Sequence, residues 1–307
     1  MIFKHYTLLA LALALCGVGR LYAQPLQVVS YNVENLFHPT RDSLKDDAEW
    51  TPEGERHWTY KRYDNKMENI ARVLTRIGEW SGVDIVGLQE VENALCVKRL
   101  CNTLRANEYD FVHYDSPDKR GIDVALIYKK ERIDTLCTRA IRIQHPALVT
   151  RDILYVCAWV DRRDTLHFFV CHLPSQLGGS AETQWKREYA KQVLQDAVDS
   201  VWATNPDAKI VVMGDMNSTP QNDLAPLINR MSSISSGTHK YQGRWTCLDQ
   251  FYVSPALDSI ADVRIYDAQW IQETDEKYLG LKPYRTFNGF QYRNGFSDHL
   301  PIILQLF

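Results

Sequence analysis

Residues 211–220 read Val-Val-Met-Gly-Asp-Met-Asn-Ser-Thr-Pro. Lys209 and Ile210 lead into this apolar run, which has the pattern of a buried strand, and Asp215 and Asn217 stand just past its carboxyl end. Open α/β sheets place their chemistry at that edge. One polar strand end is equally well an ordinary cap, so the question is whether other strands end the same way.

Residues 26–30 read as a strand running into Tyr31-Asn32-Val33-Glu34-Asn35, and residues 83–88 deliver Gln89-Glu90. Residues 165–171 deliver His172-Leu173-Pro174-Ser175, the strand over 246–253 holds Leu248-Asp249-Gln250, and Ser297-Asp298-His299 opens the last strand at 301–306. Carboxylates, amides and imidazoles gathered at one rim make an oxygen-rich metal site beside acid–base groups.

Between these strands, apolar residues at three- and four-residue steps predict helices over 61–80, 94–106 and 181–202. The last has Tyr189, Ala190, Val193, Leu194, Ala197, Val198 and Val201 on one face. Strands are expected over 109–114, 122–128, 133–143, 153–160 and 261–266, with a hairpin turn at 161–164 and a short helical stretch opened by Pro220. No repeat, low-complexity tract or linker interrupts the chain, so residues 24–307 read as one α/β domain with helices covering stacked sheets. Residues 39–60 are an ordered excursion over the surface.

The first 23 residues set the compartment. Lys4 and His5 precede a Leu/Ala-rich run, and Leu21-Tyr22-Ala23 offers a small residue before Gln24, which is the pattern of a secretory signal peptide cleaved after Ala23. Gly17, Gly19 and Arg20 make the run too short for a comfortable membrane anchor. A lipoprotein site at Cys16 is the lesser reading, because Leu15 is bulkier than such sites carry. An exported protein, periplasmic or secreted and without a transmembrane anchor after cleavage, is expected. Removal of Lys4 and Arg20 takes the formal charge from −3 to −5. That is not the strongly basic balance that announces nucleic-acid binding, although a local basic patch or a bound metal can offset it.

Six cysteines remain after cleavage, at 96, 101, 137, 157, 171 and 247. An even number in an exported chain permits disulfides. Cys137, Cys157, Cys171 and Cys247 nevertheless lie in apolar or β-like runs, as buried free cysteines do, and no Cys-x-x-Cys points to zinc.

Taken in order, Asn32-Val33-Glu34-Asn35-Leu36-Phe37, Leu88-Gln89-Glu90, Gly214-Asp215-Met216-Asn217, Leu248-Asp249 and Ser297-Asp298-His299-Leu300-Pro301 resemble the motif set of the endonuclease/exonuclease/phosphatase superfamily. That group includes deoxyribonuclease I, AP endonucleases, inositol polyphosphate phosphatases and neutral sphingomyelinases. The resemblance implies a four-layer α/β/β/α sandwich of two packed mixed sheets flanked by helices. It also implies a metal-dependent hydrolase of phosphate esters, with magnesium preferred and manganese or calcium as alternatives.

By the same resemblance, Glu90 matches the main metal-binding glutamate, Asn32 an asparagine near metal and phosphate, Glu34 a metal-binding aspartate of some members, and Asp298 an aspartate near the metal. Asp215 and Asn217 match the pair that approaches the phosphate and its attacking water. His299 matches a catalytic histidine oriented by Asp249. His172 stands where deoxyribonuclease-like and phosphatase-like members carry histidine and AP endonucleases carry tyrosine. Ser175 stands where AP endonucleases have a phosphate-contacting asparagine. Both departures argue against abasic-site repair, and Trp245-Thr246-Cys247-Leu248-Asp249-Gln250 lacks the inositol 5-phosphatase signature.

Arg120 and Asp123, in Arg120-Gly121-Ile122-Asp123, are candidates for substrate contact, as is Arg187 on the third helix; each is otherwise a turn residue or a solvated helix charge. The aromatic segment 283–293, with Trp50, Trp58 and Tyr60, is either core packing or a stacking platform. His38, His57, His113, His145, His167 and His239 are read as ordinary surface or core residues. Adjacent strand residues point to opposite faces, which excludes a serine triad at Ser297-Asp298-His299.

The expected activity is thus hydrolysis of a phosphate ester, with a nuclease as first reading. A phosphatase or a phospholipid phosphodiesterase, of inositol phosphate or sphingomyelin type, is the alternative. A non-catalytic module binding phosphate ligands is the alternative from another class; every core motif is present, which counts against it. A monomer is expected.

Overall fold

A computed structural model describes residues 24–105 and 107–307. The expected leader, residues 1–23, lies outside the described residues.

The chain enters on β1 (Leu26–Leu36), crosses over through helix α1 (Tyr60–Gly78) and returns parallel to β1 as β2 (Ile85–Val91). Helix α2 (Ala94–Arg105) leads to β3 (Tyr109–His113) and β4 (Asp123–Lys129). Then come β5 (Ile133–Ile141), β6 (Ile153–Val160) and β7 (Asp164–His172), and a second crossover through α3 (Ser180–Thr204) brings β8 (Lys209–Asp215) parallel to β7. Short strands β9 (Ile228–Asn229), β10 (His239–Tyr241) and β11 (Arg244–Thr246) precede β12 (Asp249–Val253) and β13 (Ala261–Ile265). Two small hairpins follow, β14 (Gln272–Thr274) with β15 (Leu281–Pro283) and β16 (Phe287–Asn288) with β17 (Gln291–Tyr292), before β18 (Ile302–Leu306) as the last strand.

Two six-stranded mixed sheets result, in the orders β13-β18-β1-β2-β4-β3 and β5-β6-β7-β8-β12-β9. Each is built around one parallel pair joined by a helix, because parallel neighbours need a crossover and antiparallel ones do not. The side-chain alternation of the central strands makes the layers. Val28, Ile85 and Leu126 of one sheet face Val170, Met213 and Phe251 of the other. On the outer faces, Val29, Tyr31, Val86 and Leu88 pack under α1 at Met67, Ile70 and Leu74, and Phe169, Ile210 and Val212 pack under α3 at Ala190, Leu194 and Val198. Each such large apolar side chain taken fully from water contributes roughly 1.5–3 kcal/mol. The four-layer α/β/β/α sandwich is the observed fold. The two sheets come so close at their midline that a Cβ on Gly87 of β2 would stand 2.8 Å from the Met213 sulfur of β8.

Several boundaries differ from the sequence reading. Strand β1 continues to Leu36 across a bulge, with Leu36 pairing to Val91, and so carries Asn32 and Glu34 within it. The expected strand over 246–253 is broken at Cys247-Leu248, where Thr238 Oγ1 accepts Leu248 N and Asp249 N, and the ladder resumes at Asp249. No helix follows Pro220; that stretch is held instead by Asn229 Nδ2 donating to Gln221 O at 3.0 Å and by the Tyr252 hydroxyl on Asp223 at 2.9 Å. The excursion at 39–60 reaches the core: Trp58 is fully buried and Trp50 stacks on Phe37 with ring centroids 4.9 Å apart. Cys137, on edge strand β5, is exposed and Cys157 half-buried, whereas Cys96, Cys101, Cys171 and Cys247 are buried; all six are free.

Candidate active site

The alternation that builds the core also builds the site. In β8, Val211 and Met213 face the opposite sheet, so Asp215, two residues on, faces it too; in β7, Val170 places His172 likewise. His172 is the register partner of Asp215 across β7 and β8, and Asp249 is its partner across β8 and β12. One row of three side chains therefore crosses the edge of this sheet. Across from it, β1 and β2 bring Asn32 beside Gln89, with Glu90 next in the chain.

Backbone conformation marks the same spot. Glu34, Asn35, Glu90 and Asn217 all have positive φ, between 49° and 66°, a strained state for non-glycine residues that persists only where surrounding structure enforces it. Gly214, at φ 142°, has no substitute: a Cβ there would meet Cys171 O at 1.9 Å.

Asp215 Oδ2 is the hub. It accepts Asn32 Nδ2 at 3.1 Å and lies 3.7 Å from His172 Nε2 and 3.8 Å from His299 Nε2. Its Oδ1 accepts the Asn217 backbone N–H at 2.8 Å, while Asn217 Nδ2 donates to Leu173 O at 3.0 Å. Burial, reinforced by Asp249 and opposed by His299, raises the Asp215 carboxyl to about 6. His299 Nδ1 meets Asp249 Oδ2 at 2.8 Å, both buried. Burial acts to discharge His299, but Asp249, Asp215 and Asp298 outweigh it and hold its proton well above the usual histidine range. His172 goes the other way: burial and then Arg151, Arg120 and His299 keep it neutral. The two imidazoles that bracket Asp215 are thus in opposite charge states.

Glu90 Oε2 accepts Asn35 N at 2.8 Å, and Oε1 lies 3.9 Å from His172 Nε2. Asn32 Oδ1 accepts Glu34 N at 3.0 Å. Glu34 and Asp298 share the Arg285 guanidinium, at 3.4 and 2.9 Å, and Glu34 Oε2 also accepts Thr286 N. Burial and the charge of Asp298 raise Glu34 to about 7; Asp298, although buried, is held down to about 2 by Arg285, then His299 and His239.

The remaining expected contacts divide. Arg120 donates to Asn35 Oδ1 beside the cluster. Ser175 is exposed and its hydroxyl accepts Leu177 N. The Arg187 donors are taken up by Thr183 Oγ1, Ser180 O and Ser175 O, so that it braces the loop carrying Ser175. Asp123 begins β4, accepts Ser116 N, and makes no contact with the Asp215 cluster among the described residues.

Three residues carried no clear signal in the sequence. Arg285 and Thr286 lie in the aromatic segment before Asp298, and Lys66 is buried under it, donating to Thr286 Oγ1 and Phe296 O. His239, read as an ordinary histidine, lies 4.8 Å from His299 ring to ring. In the same segment, Phe287 packs against Trp50, whereas Phe290 stays exposed with Arg56 over its ring.

A polar cleft of about 620 Å³ is lined by Ser218, next in the chain to Asn217, and by Gln176, whose Nε2 donates to the Asn217 carbonyl. Ser218, Thr219, Gln221, Gln184, Arg244 and Thr246 are among its walls.

Structures with the same fold include TDP2 from C. elegans, 17% identical with a TM-score of 0.61, over 97% of this chain and 81% of that one. An endonuclease/exonuclease/phosphatase from Bacteroides vulgatus aligns at 13% identity and TM-score 0.59, over 92% and 98% of the two chains. The mannosyl-6-phosphatase of Bacteroides thetaiotaomicron aligns at 14% and 0.58, over 92% and 99%. No curated protein matches the sequence significantly. The sequence itself matches the Endonuclease/Exonuclease/phosphatase family over residues 27–307, a span that takes in both sheets and every residue of the cluster. The chain belongs to that family, whose members are metal-dependent hydrolases of phosphate esters.

Proposed function

We propose that this chain is an exported, divalent-metal-dependent phosphoesterase that breaks a P–O bond by in-line attack of water, with nucleic-acid phosphodiesters as its first substrate class. The observation that carries the chemistry is Asp215 Oδ2, placed between a neutral and a charged imidazole and steadied by Asn32. Export rests on the pattern of residues 1–23.

The donor set suits a hard cation. Glu90, Asn32 and Asp298 supply carboxylate and amide oxygens with no thiolate, and Glu90 Oε1 has no hydrogen bond among the described residues. Those three would hold the ion; Glu34, engaged by Arg285 and Thr286, would stand behind them. Magnesium bound there would neutralise phosphate oxygens.

The protein's own groups do the rest. Asp215, its carboxyl raised to about 6 by burial and fixed by the Asn217 N–H, takes the proton of the attacking water. His299, kept protonated and aimed by Asp249, donates to a phosphoryl oxygen as charge builds. Neutral His172 accepts or donates a hydrogen bond to position the phosphoryl group, and Arg120 extends the positive rim.

A second reading has its own support. The cleft next to Asn217 is walled by carboxamides and hydroxyls, with Arg187, Lys191, Arg244, Glu188 and Asp223 among them and no aromatic ring, which suits the hydroxyls and charge of a phosphorylated sugar better than a stacked base. A fold neighbour is named as a mannosyl-6-phosphatase. Magnesium-dependent hydrolysis of plasmid DNA, RNA, phosphorylated sugars and inositols, and sphingomyelin separates these classes. An Asp215→Ala, His299→Ala double variant should be inactive on the preferred substrate while folded; unchanged turnover overturns the assignment.

A further inference from the structure

We infer that His113, Asp115 and Asp123 form a second cation site, for a borderline transition metal such as zinc, that fastens the loop between β3 and β4. His113 ends β3 and Asp123 begins β4; His113 pairs with Ala125, so Asp123 lies one step along the same face. One ligand atom from each of the three residues falls within 4.8 Å of the others.

The independent observation is what these atoms lack. His113 Nε2 and Asp123 Oδ2 are buried, both side chains being 2% exposed, and neither has a hydrogen-bond partner. Each orphan of this kind has given up water without gaining a partner, so two facing one another need a reason. Their separation is 3.7 Å. That is too long for a hydrogen bond. It is close to the edge between two ligands on one tetrahedral ion, about 3.4 Å for metal–ligand bonds near 2.1 Å.

The rest of the surroundings fit. Asp123 Oδ1 accepts Ser116 N at 3.2 Å, the kind of contact that orients a ligating carboxylate and leaves its other oxygen free. Asp115 is exposed and gives the ion a way in from solvent. A small cavity beside Asp123 is lined by Ser116 and Asp152, and Asp152 Oδ2 is itself buried without a partner. One imidazole with two carboxylates favours zinc over magnesium or calcium, which prefer oxygen alone. The loop closed by this site carries Arg120, which bonds Asn35 beside the catalytic cluster, so the ion steadies the rim of the active site without entering it.

Zinc retention by the full chain after dialysis against excess magnesium tests the site. Wild type and a Glu90→Gln, Asp298→Asn variant should both retain about one zinc per chain, and His113→Gln, Asp123→Asn should retain none. Asp115 is exposed, so Asp115→Asn keeps the fold whatever the ion does and should weaken zinc binding by about tenfold or more. Cobalt in place of zinc adds a visible absorption band in wild type that His113→Gln lacks. Equal zinc in wild type, His113→Gln and Asp115→Asn overturns the proposal, as does zinc that leaves only with Glu90 and Asp298.

Discussion

His299 Nδ1 stands 2.8 Å from Asp249 Oδ2 although 50 positions separate the two in the chain. That contact joins the start of β12 in one sheet to the segment just before β18 of the other, and it fixes which imidazole nitrogen points at Asp215.

Asp249→Asn should lower kcat by about 10²–10⁴. Asp249 is the largest influence holding the His299 proton, so the wild-type enzyme keeps a charged imidazole to high pH and the variant loses it sooner. The alkaline limb of kcat/KM should move to lower pH by about a unit or more. A pH–rate profile checks this; a lower rate with an unmoved limb contradicts the orienting role.

Chelation with EDTA should abolish hydrolysis and magnesium should restore it. Binding to the native state alone raises stability by about 2.7 kcal/mol at a hundredfold excess over Kd. Thermal melts should show that gain in wild type and not in Glu90→Gln.

Glu92 is buried, and its Oε1 has no partner while Oε2 accepts His38 N. Burial first, with Asp47 and Asp42 adding to it, raises its carboxyl from 4.5 to about 7. The native state therefore holds a proton that the unfolded chain releases. This contribution is fully present below about pH 4.5 and is lost as pH rises through 7, on the order of 3 kcal/mol. Urea unfolding across that window should show wild type losing stability relative to Glu92→Gln.

Gly214→Ala should cost about 3 kcal/mol or more, since the new methyl group would meet Cys171 O at 1.9 Å in a backbone conformation alanine avoids. Urea denaturation measures it. Any variant that folds should have Asp215 displaced and hydrolysis lost.

The central strands and helices were legible because their side-chain periods survive in the sequence: Val211, Met213 and Asp215 alternate, and the apolar face of α3 repeats as read. The rows at strand ends were legible for the same reason. What stayed hidden depends on contacts across long stretches of chain. Arg285 reaches Glu34 from 251 positions away and Lys66 reaches Thr286 from 220, and no local spacing encodes either. In sequence, Trp58 reads as either core packing or a stacking platform, because its partner, the carbonyl of Phe37, lies on the far side of a turn-rich excursion. The helix expected after Pro220 lost to side chains of Asn229 and Tyr252 that take up its polar groups.

Gly87 and Met213 touch where the two sheets press together, and three residues beyond Gly87 stands Glu90, two beyond Met213 stands Asp215. Neither sheet holds the cluster alone. Its geometry therefore follows the gap between the sheets: a methyl group at Gly87 would stand 2.8 Å from the Met213 sulfur, and a Gly87→Ala variant in which that side chain does not yield should lose turnover before it loses its fold. Activity of Gly87→Ala, read beside its urea unfolding, should then separate two failures, a shift in how far the two slabs sit apart and the melting of either slab.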